Sequence, residues 1–172
     1  PKQKSCDGKP LLTCYGATPT FYGANPKWTD DRFTVRWVTG YVGQQDDLFD
    51  EQTMRSYHFW SWEERATQTY TVKDGRVECI SVTASSRAQG KEGDRGYIPA
   101  RGRRNGETFR EQFGRACELG AGMVLLISWN EWTKSEQLSV EISKDLEPSQ
   151  IHGTFYYDLL CEQIKKFKEL DS

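Results

Sequence analysis

The chain lacks several features that mark well-known classes of protein. Its 172 residues include 23 Lys or Arg and 25 Asp or Glu, giving a net charge of -2. A general nucleic-acid binder would instead carry a strongly basic face. No apolar run approaches the ~20 residues that cross a bilayer, so we expect no membrane span. No signal peptide is visible after Pro1, and the sequence therefore leaves the compartment open.

The cysteines and histidines form no metal-binding pattern. There are five cysteines and two histidines, and no C-x-x-C spacing occurs. Because the cysteines are odd in number and scattered along the chain, we predict buried free thiols, with a Cys6–Cys14 bridge as the alternative. His58 and His152 have no partner pattern, and the glycine-rich segments lack the Walker spacing of nucleotide sites. We therefore expect neither a metal nor another cofactor.

Apolar and turn patterns predict an α/β chain that forms a single domain over residues 1–172. The predicted elements are strands at 11–15, 33–38, 57–62, 70–72 and 77–83, a helix at 107–119, a strand at 123–128 and a helix at 154–170. Asp74-Gly75 indicates a hairpin between two of the strands. Two long loops, 84–105 and 133–150, complete the chain.

This order is typical of the second half of a TIM-type (β/α)8 barrel, in which parallel strands alternate with helices. A complete barrel takes about 250 residues, so this chain has room for about four or five of the eight strands. An isolated half-barrel would expose two sheet edges that invite pairing. We therefore expect a C-terminal portion of a barrel, with the rest of the barrel missing from this chain. Missing sequence, another chain or a second copy would complete it.

The most informative segment is Trp129-Asn130-Glu131-Trp132, which follows an apolar run. The run Met123–Ile127 predicts a strand buried on both faces, and α/β folds place their chemistry where such strands end. Lost hydration near indoles raises the pKa of a carboxyl, which suits acid/base work on a sugar. Glu131 is therefore the predicted catalytic residue, with a structural salt bridge at the barrel mouth as the alternative.

Glycoside cleavage usually needs a second carboxyl group. Glu136 is one candidate, and a solvated loop acid is its alternative role. Glu63 and Glu64, which follow Trp60-Ser61-Trp62, are rivals from another strand end. Neighbouring strand residues point to opposite sides, so at most one of this pair is expected to face inward.

Several further residues are candidates for binding the substrate. Trp is large and rigid with one N–H donor, so it suits stacking on sugar rings, although core packing is the alternative for at least half of these indoles. The candidates for stacking are Trp60, Trp62, Trp129 and Trp132. Asn130 is expected to bond a sugar hydroxyl or to orient the neighbouring carboxylate. Arg103 and Arg104 lie in a basic, glycine-rich loop, which suits either an anionic sugar or pairing with nearby acids.

Four segments in order resemble the family-99-like glycoside hydrolases, which include the endo-α-mannosidases and the WbsX-like proteins of polysaccharide gene clusters. They are Arg103-Arg-Asn-Gly-Glu-Thr-Phe109, Ile127-Ser-Trp-Asn-Glu-Trp132, Leu146-Glu-Pro148 and Gly153-Thr-Phe-Tyr-Tyr157. The resemblance covers about residues 77–170. It implies a (β/α)8 barrel with its site at the C-terminal face, carbohydrate as the partner and hydrolysis of a polysaccharide or glycan as the activity. The resemblance alone favours a periplasmic or secreted location.

The resemblance also implies roles for individual residues. In the endo-mannosidases, the Glu of Asn-Glu-Trp acts as a base on the sugar 2-hydroxyl, and a Glu three residues later is the general acid. The matching positions here are Glu131 and Lys134, and Glu136 lies two residues further on. Because Lys134 is not an acid, the alternative is a non-catalytic carbohydrate-binding barrel protein that has lost the second carboxylate.

Overall fold

The computed structural model describes residues 8–15, 30–39, 59–61, 68, 70–86, 88, 90–130 and 143–169. In these ranges the strands are β1 (Leu11–Tyr15), β2 (Thr34–Thr39), β3 (Phe59–Ser61), β4 (Tyr70–Lys73), β5 (Arg76–Thr83) and β6 (Val124–Ile127), and the α-helices are α1 (Glu107–Glu118) and α2 (Phe155–Glu169). A short 3-10 helix, Arg104–Gly106, directly precedes α1. Each strand and helix predicted above overlaps one of these. No helix within the described ranges has the length and apolar character needed to cross a membrane.

The strands form two three-stranded sheets. In the first, β1, β2 and β3 are parallel, with Leu12 opposite Val35 and Val38 opposite Trp60. In the second, β5 lies between an antiparallel β4 and a parallel β6. The described part is therefore α/β, with one parallel and one mixed sheet, and closure into a barrel stays a prediction.

The turn between β4 and β5 confirms the hairpin indicated by Asp74-Gly75. Both residues are left-handed, with φ of 51° at Asp74 and 75° at Gly75. Two consecutive positive φ angles characterise the type I′ turn, whose twist matches that of paired strands. Asp tolerates this conformation and Gly adopts it without steric cost, so local sequence suffices to specify the hairpin.

The prediction that β6 is buried on both faces is wrong. Val124, Leu125 and Leu126 are only partly buried, and Ile127 is the one residue of the strand that is fully buried. The reason is position, because among the described residues β6 pairs with β5 alone and so lies at a sheet edge. An apolar edge of this kind is open to pairing with another strand.

The two helices cover one face of the second sheet. Val82 of β5 packs with Phe109 and Phe113 of α1 and with Tyr156 of α2. The two phenylalanine rings meet edge to face with centroids 5.1 Å apart. Phe109 and Phe113 thus form the buried face of α1. On α2 the first residue, Phe155, is 40% exposed, and its neighbour Tyr156 fills the core.

A second cluster joins the two sheets on their other face. Val38 of β2, Trp60 of β3 and Cys79 of β5 are buried together, and Leu11 and Leu125 pack against them. Because its members come from both sheets, burial of this cluster fixes the sheets against each other. Apolar burial is the dominant favourable contribution to such packing.

A β-bulge in β5 directs a carboxylate into this inter-sheet region. Thr71 pairs with Cys79 and Val72 with Val77, so Glu78 is the extra residue in the register. A bulge re-aims a side chain that strict alternation would send to the other face. Glu78 accepts hydrogen bonds from Arg36 Nε at 2.8 Å and Nη2 at 2.5 Å, and from Trp60 Nε1 at 2.8 Å. The two ionised side chains are each only 4% exposed.

The cysteines of the described residues are free thiols, as predicted. Cys79 is buried, Cys14 and Cys117 are partly buried and Cys161 is exposed, so the prediction of burial is wrong for Cys161. Loss of hydration raises the pKa of Cys14 and of Cys117. Cys14 is a free thiol in the structure, and Cys6, its alternative partner, lies outside the described residues.

Candidate functional site

Two parallel strands end side by side at the candidate site. Thr83 at the end of β5 lies opposite Ile127 at the end of β6. Parallel strands present their carboxyl ends at one edge, which is where α/β folds bind ligands. After β6, Trp129 is 45% exposed and Asn130 is also exposed. This edge thus presents an indole and an amide to solvent directly before position 131.

The structure describes some of the predicted site residues and not others. Those outside the described residues are Trp62, Glu63, Glu64, Glu131, Trp132 and Glu136. Of the rest, Trp129 and Asn130 lie together at the exposed end of β6. Trp60, Arg103 and Arg104 are elsewhere, and each has a distinct environment.

Trp60 is buried in the core and is not exposed at a sugar-binding surface. The residue is only 1% exposed, and its indole N–H donates to Glu78 Oε2 at 2.8 Å. An indole in that environment has no open face for a pyranose ring. The expectation that Trp60 stacks on substrate is therefore corrected in favour of the alternative, core packing.

Arg103 is likewise a packing residue and not a contact for an anionic sugar. It is 1% exposed, and its Nη2 donates to the backbone oxygen of Asp145 at 2.5 Å. Its guanidinium carbon lies 4.2 Å from the centroid of the Tyr156 ring, a cation–π contact. These partners enclose the group, so the predicted role in binding anionic sugar is corrected. Arg103 instead ties the segment around Asp145 to helix α2.

The end of β6 is held by a short segment that we call the β6 clamp, formed by Asp145, Leu146 and Glu147. Ser128 Oγ donates to Asp145 Oδ1 at 2.6 Å. The backbone N–H groups of Leu146 and Glu147 donate to the Trp129 carbonyl oxygen at 3.2 and 3.0 Å. These bonds fix the backbone from which the exposed indole projects. Preorganisation of this kind lowers the entropy lost when a ligand is bound.

Arg104 lies just before α1 and pairs with an acid on that helix. Arg104 Nη2 lies 2.5 Å from Glu111 Oε1, and Arg101 contacts the other oxygen of the same carboxylate. All three side chains are substantially exposed. This pairing is the alternative foreseen for the basic loop.

Glu111 should titrate below the ordinary range, because the hydrogen bond from Arg104 and the charges of Arg101 and Arg104 lower its pKa. A folded-state pKa that is depressed contributes stability at neutral pH, and this contribution is lost as pH falls through that pKa. We expect Arg104→Ala to raise the pKa of Glu111 in a carbon-detected NMR titration. Lys166→Ala, which removes the partner of Glu162, is the control and should leave Glu111 unchanged. An identical Glu111 titration in wild type and Arg104→Ala would contradict the assignment.

The end of β5 carries two buried hydroxyl groups. Ser85 and Ser86 are fully buried, and neither Oγ has a hydrogen-bond partner in the described structure. The Ser85 carbonyl accepts a hydrogen bond from Thr83 Oγ1 at 2.6 Å, and the backbone of Ser86 exchanges two hydrogen bonds with that of Arg101. A buried hydroxyl without a partner costs about 1–3 kcal/mol.

Trp129 does not stand alone at the surface. Its ring meets that of Tyr157, in the first turn of α2, with centroids 6.2 Å apart and planes at 76°. Both residues are 45% exposed. The two rings thus form an aromatic pair at the edge where the parallel strands end.

The sequence singles out neither Asp145 nor Tyr157 as a site residue. Asp145 directly precedes Leu146-Glu-Pro148, and Tyr157 ends Gly153-Thr-Phe-Tyr-Tyr157. Both segments belong to the pattern that carries the family resemblance, which was the only available signal. Their contacts with the end of β6 depend on chain folding over more than ten intervening residues, which no local pattern reports.

No group of His, Cys, Asp and Glu side chains among the described residues is arranged to hold a metal ion. No protein-family model matches the chain, and neither a curated protein nor a solved structure does so. The site geometry and the sequence motifs are therefore the observations that bear on function.

Proposed function

We propose that the chain is the C-terminal portion of a barrel-type glycoside hydrolase that cleaves a polysaccharide or another glycan. The observation that carries the proposal is the exposed Trp129-Asn130 pair at the carboxyl end of β6, one peptide bond before Glu131. The ordered resemblance to family-99-like enzymes, whose second segment contains these two residues, also supports it. The remaining strands would come from sequence outside this chain, from another chain or from a second copy.

In this proposal Glu131 is the central carboxylate, and Asn130 bonds a sugar hydroxyl or orients that carboxylate. The second acid comes from Glu136 or from the Glu63-Glu64 pair. Carboxyl groups ~5–5.5 Å apart would give retention at the anomeric centre, and ~6.5–9.5 Å would give inversion. The reaction adds water across the glycosidic bond, so the leaving sugar gains a proton from the acid and the anomeric carbon gains a hydroxyl.

The second candidate is a carbohydrate-binding protein without catalysis. The observation that favours it is Lys134, which occupies the position of the general acid in the matched motif. A lysine there cannot replace a carboxylic acid of suitable pKa without a strong perturbation of its own. The aromatic surface would be kept in such a protein, because binding needs stacking but no proton transfer.

The test uses the complete protein and a panel of soluble glycans that differ in sugar, linkage and charge. Binding and the appearance of new reducing ends are measured on the same panel. A hydrolase should produce new reducing ends from at least one glycan. Binding without new reducing ends would support the non-catalytic candidate, and an absence of both would overturn the two proposals together.

A further inference from the structure

The described residues expose an unusual amount of aromatic surface beside the end of β6. Trp129, Tyr157 and Phe155 are exposed by 45%, 45% and 40%, although large aromatic side chains usually bury most of their area. The ring of Phe155 makes an edge-to-face contact with the ring of the buried Tyr156, so Phe155 has a packing partner within α2. The pair Trp129–Tyr157 is the part of this surface that lies on the candidate site.

The geometry of the pair defines a corner. At 76° between planes and 6.2 Å between centroids, the edge of one ring meets the face of the other. The two rings are therefore adjacent walls at nearly a right angle. The carbonyl oxygen of Trp129 is fixed by two backbone N–H donors of the β6 clamp. Tyr157 is fixed because it belongs to a regular helix that buries its neighbour Tyr156.

The surroundings of the corner are polar. Asn130 is exposed next to Trp129 in the chain, and Asp158, next to Tyr157, accepts a hydrogen bond from Thr154 Oγ1 at 2.8 Å. An interface built for another protein would be expected to have an apolar core depleted in charged residues. A pyranose instead combines a flat face of C–H bonds with a rim of hydroxyl groups. Aromatic walls bordered by amide and carboxylate groups match that combination.

We infer that Trp129 and Tyr157 together form a sugar-binding subsite, in which a neutral pyranose ring lies in the corner between them. The inference rests on the proposed function and deepens it by adding Tyr157 as a substrate-binding residue. One ring stacks on the C–H face of the sugar and the other borders its edge, while Asn130 is placed to bond a hydroxyl. Because Arg103 is enclosed by Asp145 and the Tyr156 ring, and because the carboxylate next to Tyr157 is that of Asp158, the surroundings of the corner favour a neutral sugar over an anionic one.

The experiment measures binding of soluble oligosaccharides of glucose, galactose, mannose and xylose to the complete protein by calorimetry. Tyr157→Ala and Trp129→Ala should each weaken binding by about tenfold, since a lost aromatic contact of about 1.4 kcal/mol corresponds to that factor. Tyr157→Phe keeps the ring and should bind nearly as wild type does. The matched control is Leu119→Ala, which removes an exposed apolar side chain after the end of α1, on the side of the sheet where β6 begins.

The outcomes separate this inference from the proposed function. If wild type binds an oligosaccharide and Tyr157→Ala binds it equally well, the subsite is overturned and the function stands. If wild type binds none of them and cleaves no glycan of the wider panel, the function fails and the subsite with it. If Tyr157→Ala keeps sugar binding but loses a self-association that wild type shows in size-exclusion chromatography, the surface is a protein contact and the inference is wrong.

Discussion

Replacing Glu131 with glutamine should lower the rate of glycan hydrolysis by about 10²–10⁴-fold. Glutamine has nearly the same size and still accepts a hydrogen bond, but its amide is neither an acid nor a base near neutral pH. The change therefore removes acid/base chemistry and keeps most binding contacts. We expect kcat to fall with KM nearly unchanged, which is the pattern for an interaction made in the transition state. The measurement is the rate of new reducing ends at saturating glycan.

The matched control for this variant is Glu118→Gln. Glu118 is the last residue of α1 and is exposed, so loss of its charge should leave kcat as in wild type. Thermal melting of both variants separates a catalytic loss from an unfolded protein. Turnover by Glu131→Gln at the wild-type rate, in a folded sample, would remove Glu131 from the mechanism.

The identity of the second acid follows from the same assay. The candidates are Glu63, Glu64 and Glu136. Replacing the one that acts with Glu131 by glutamine should lower the rate of hydrolysis by a comparable factor, and replacing either of the other two should leave that rate unchanged. Lys134→Glu would restore a carboxyl group at the position matched in the family. If the wild-type protein hydrolyses no glycan but the Lys134→Glu variant does, the missing acid at position 134 explains why the wild type binds glycans without cleaving them.

Local patterns were sufficient for much of the fold. The hairpin follows from Asp74-Gly75, because the conformational preferences of those two residues act within the turn itself. Helix α1 follows from the spacing of Phe109 and Phe113, which places both rings on one face. The end of β6 follows from the change from an apolar run to Trp129-Asn130. In each case the deciding interaction lies within a few residues of the sequence that predicts it.

Burial at the site was not predictable in this way. Trp60 and Trp129 both lie at or near a strand end, yet one bonds Glu78 in the core and the other is exposed. Arg103 and Arg104 are consecutive, yet one is enclosed by Asp145 and the Tyr156 ring while the other lies on the surface. The partners that decide between these environments are distant in sequence. Only the packed structure brings them together.

Replacing Glu78 with alanine should lower the free energy of unfolding by about 3–5 kcal/mol. The substitution leaves the buried guanidinium of Arg36 without its carboxylate and removes the acceptor for the Trp60 indole N–H. Loss of one partner from a buried pair is costly because the remaining charge stays desolvated. Such a loss is large against a typical total stability of about 5–15 kcal/mol. Denaturant unfolding followed by tryptophan fluorescence measures it, and Glu78→Gln, which keeps an acceptor, provides a milder variant if Glu78→Ala does not fold.

The matched control is Glu162→Ala, which breaks an exposed pair with Lys166 on α2, where the two side chains are 51% and 57% exposed. Water solvates the remaining lysine, so this change should cost less than about 1 kcal/mol. A double variant, Arg36→Met with Glu78→Leu, should recover much of the stability lost by Glu78→Ala, because apolar groups can replace a buried pair at little cost. Equal effects of Glu78→Ala and Glu162→Ala would contradict the buried pair. The bulge in β5 would then have no energetic role in joining the two sheets behind the candidate site.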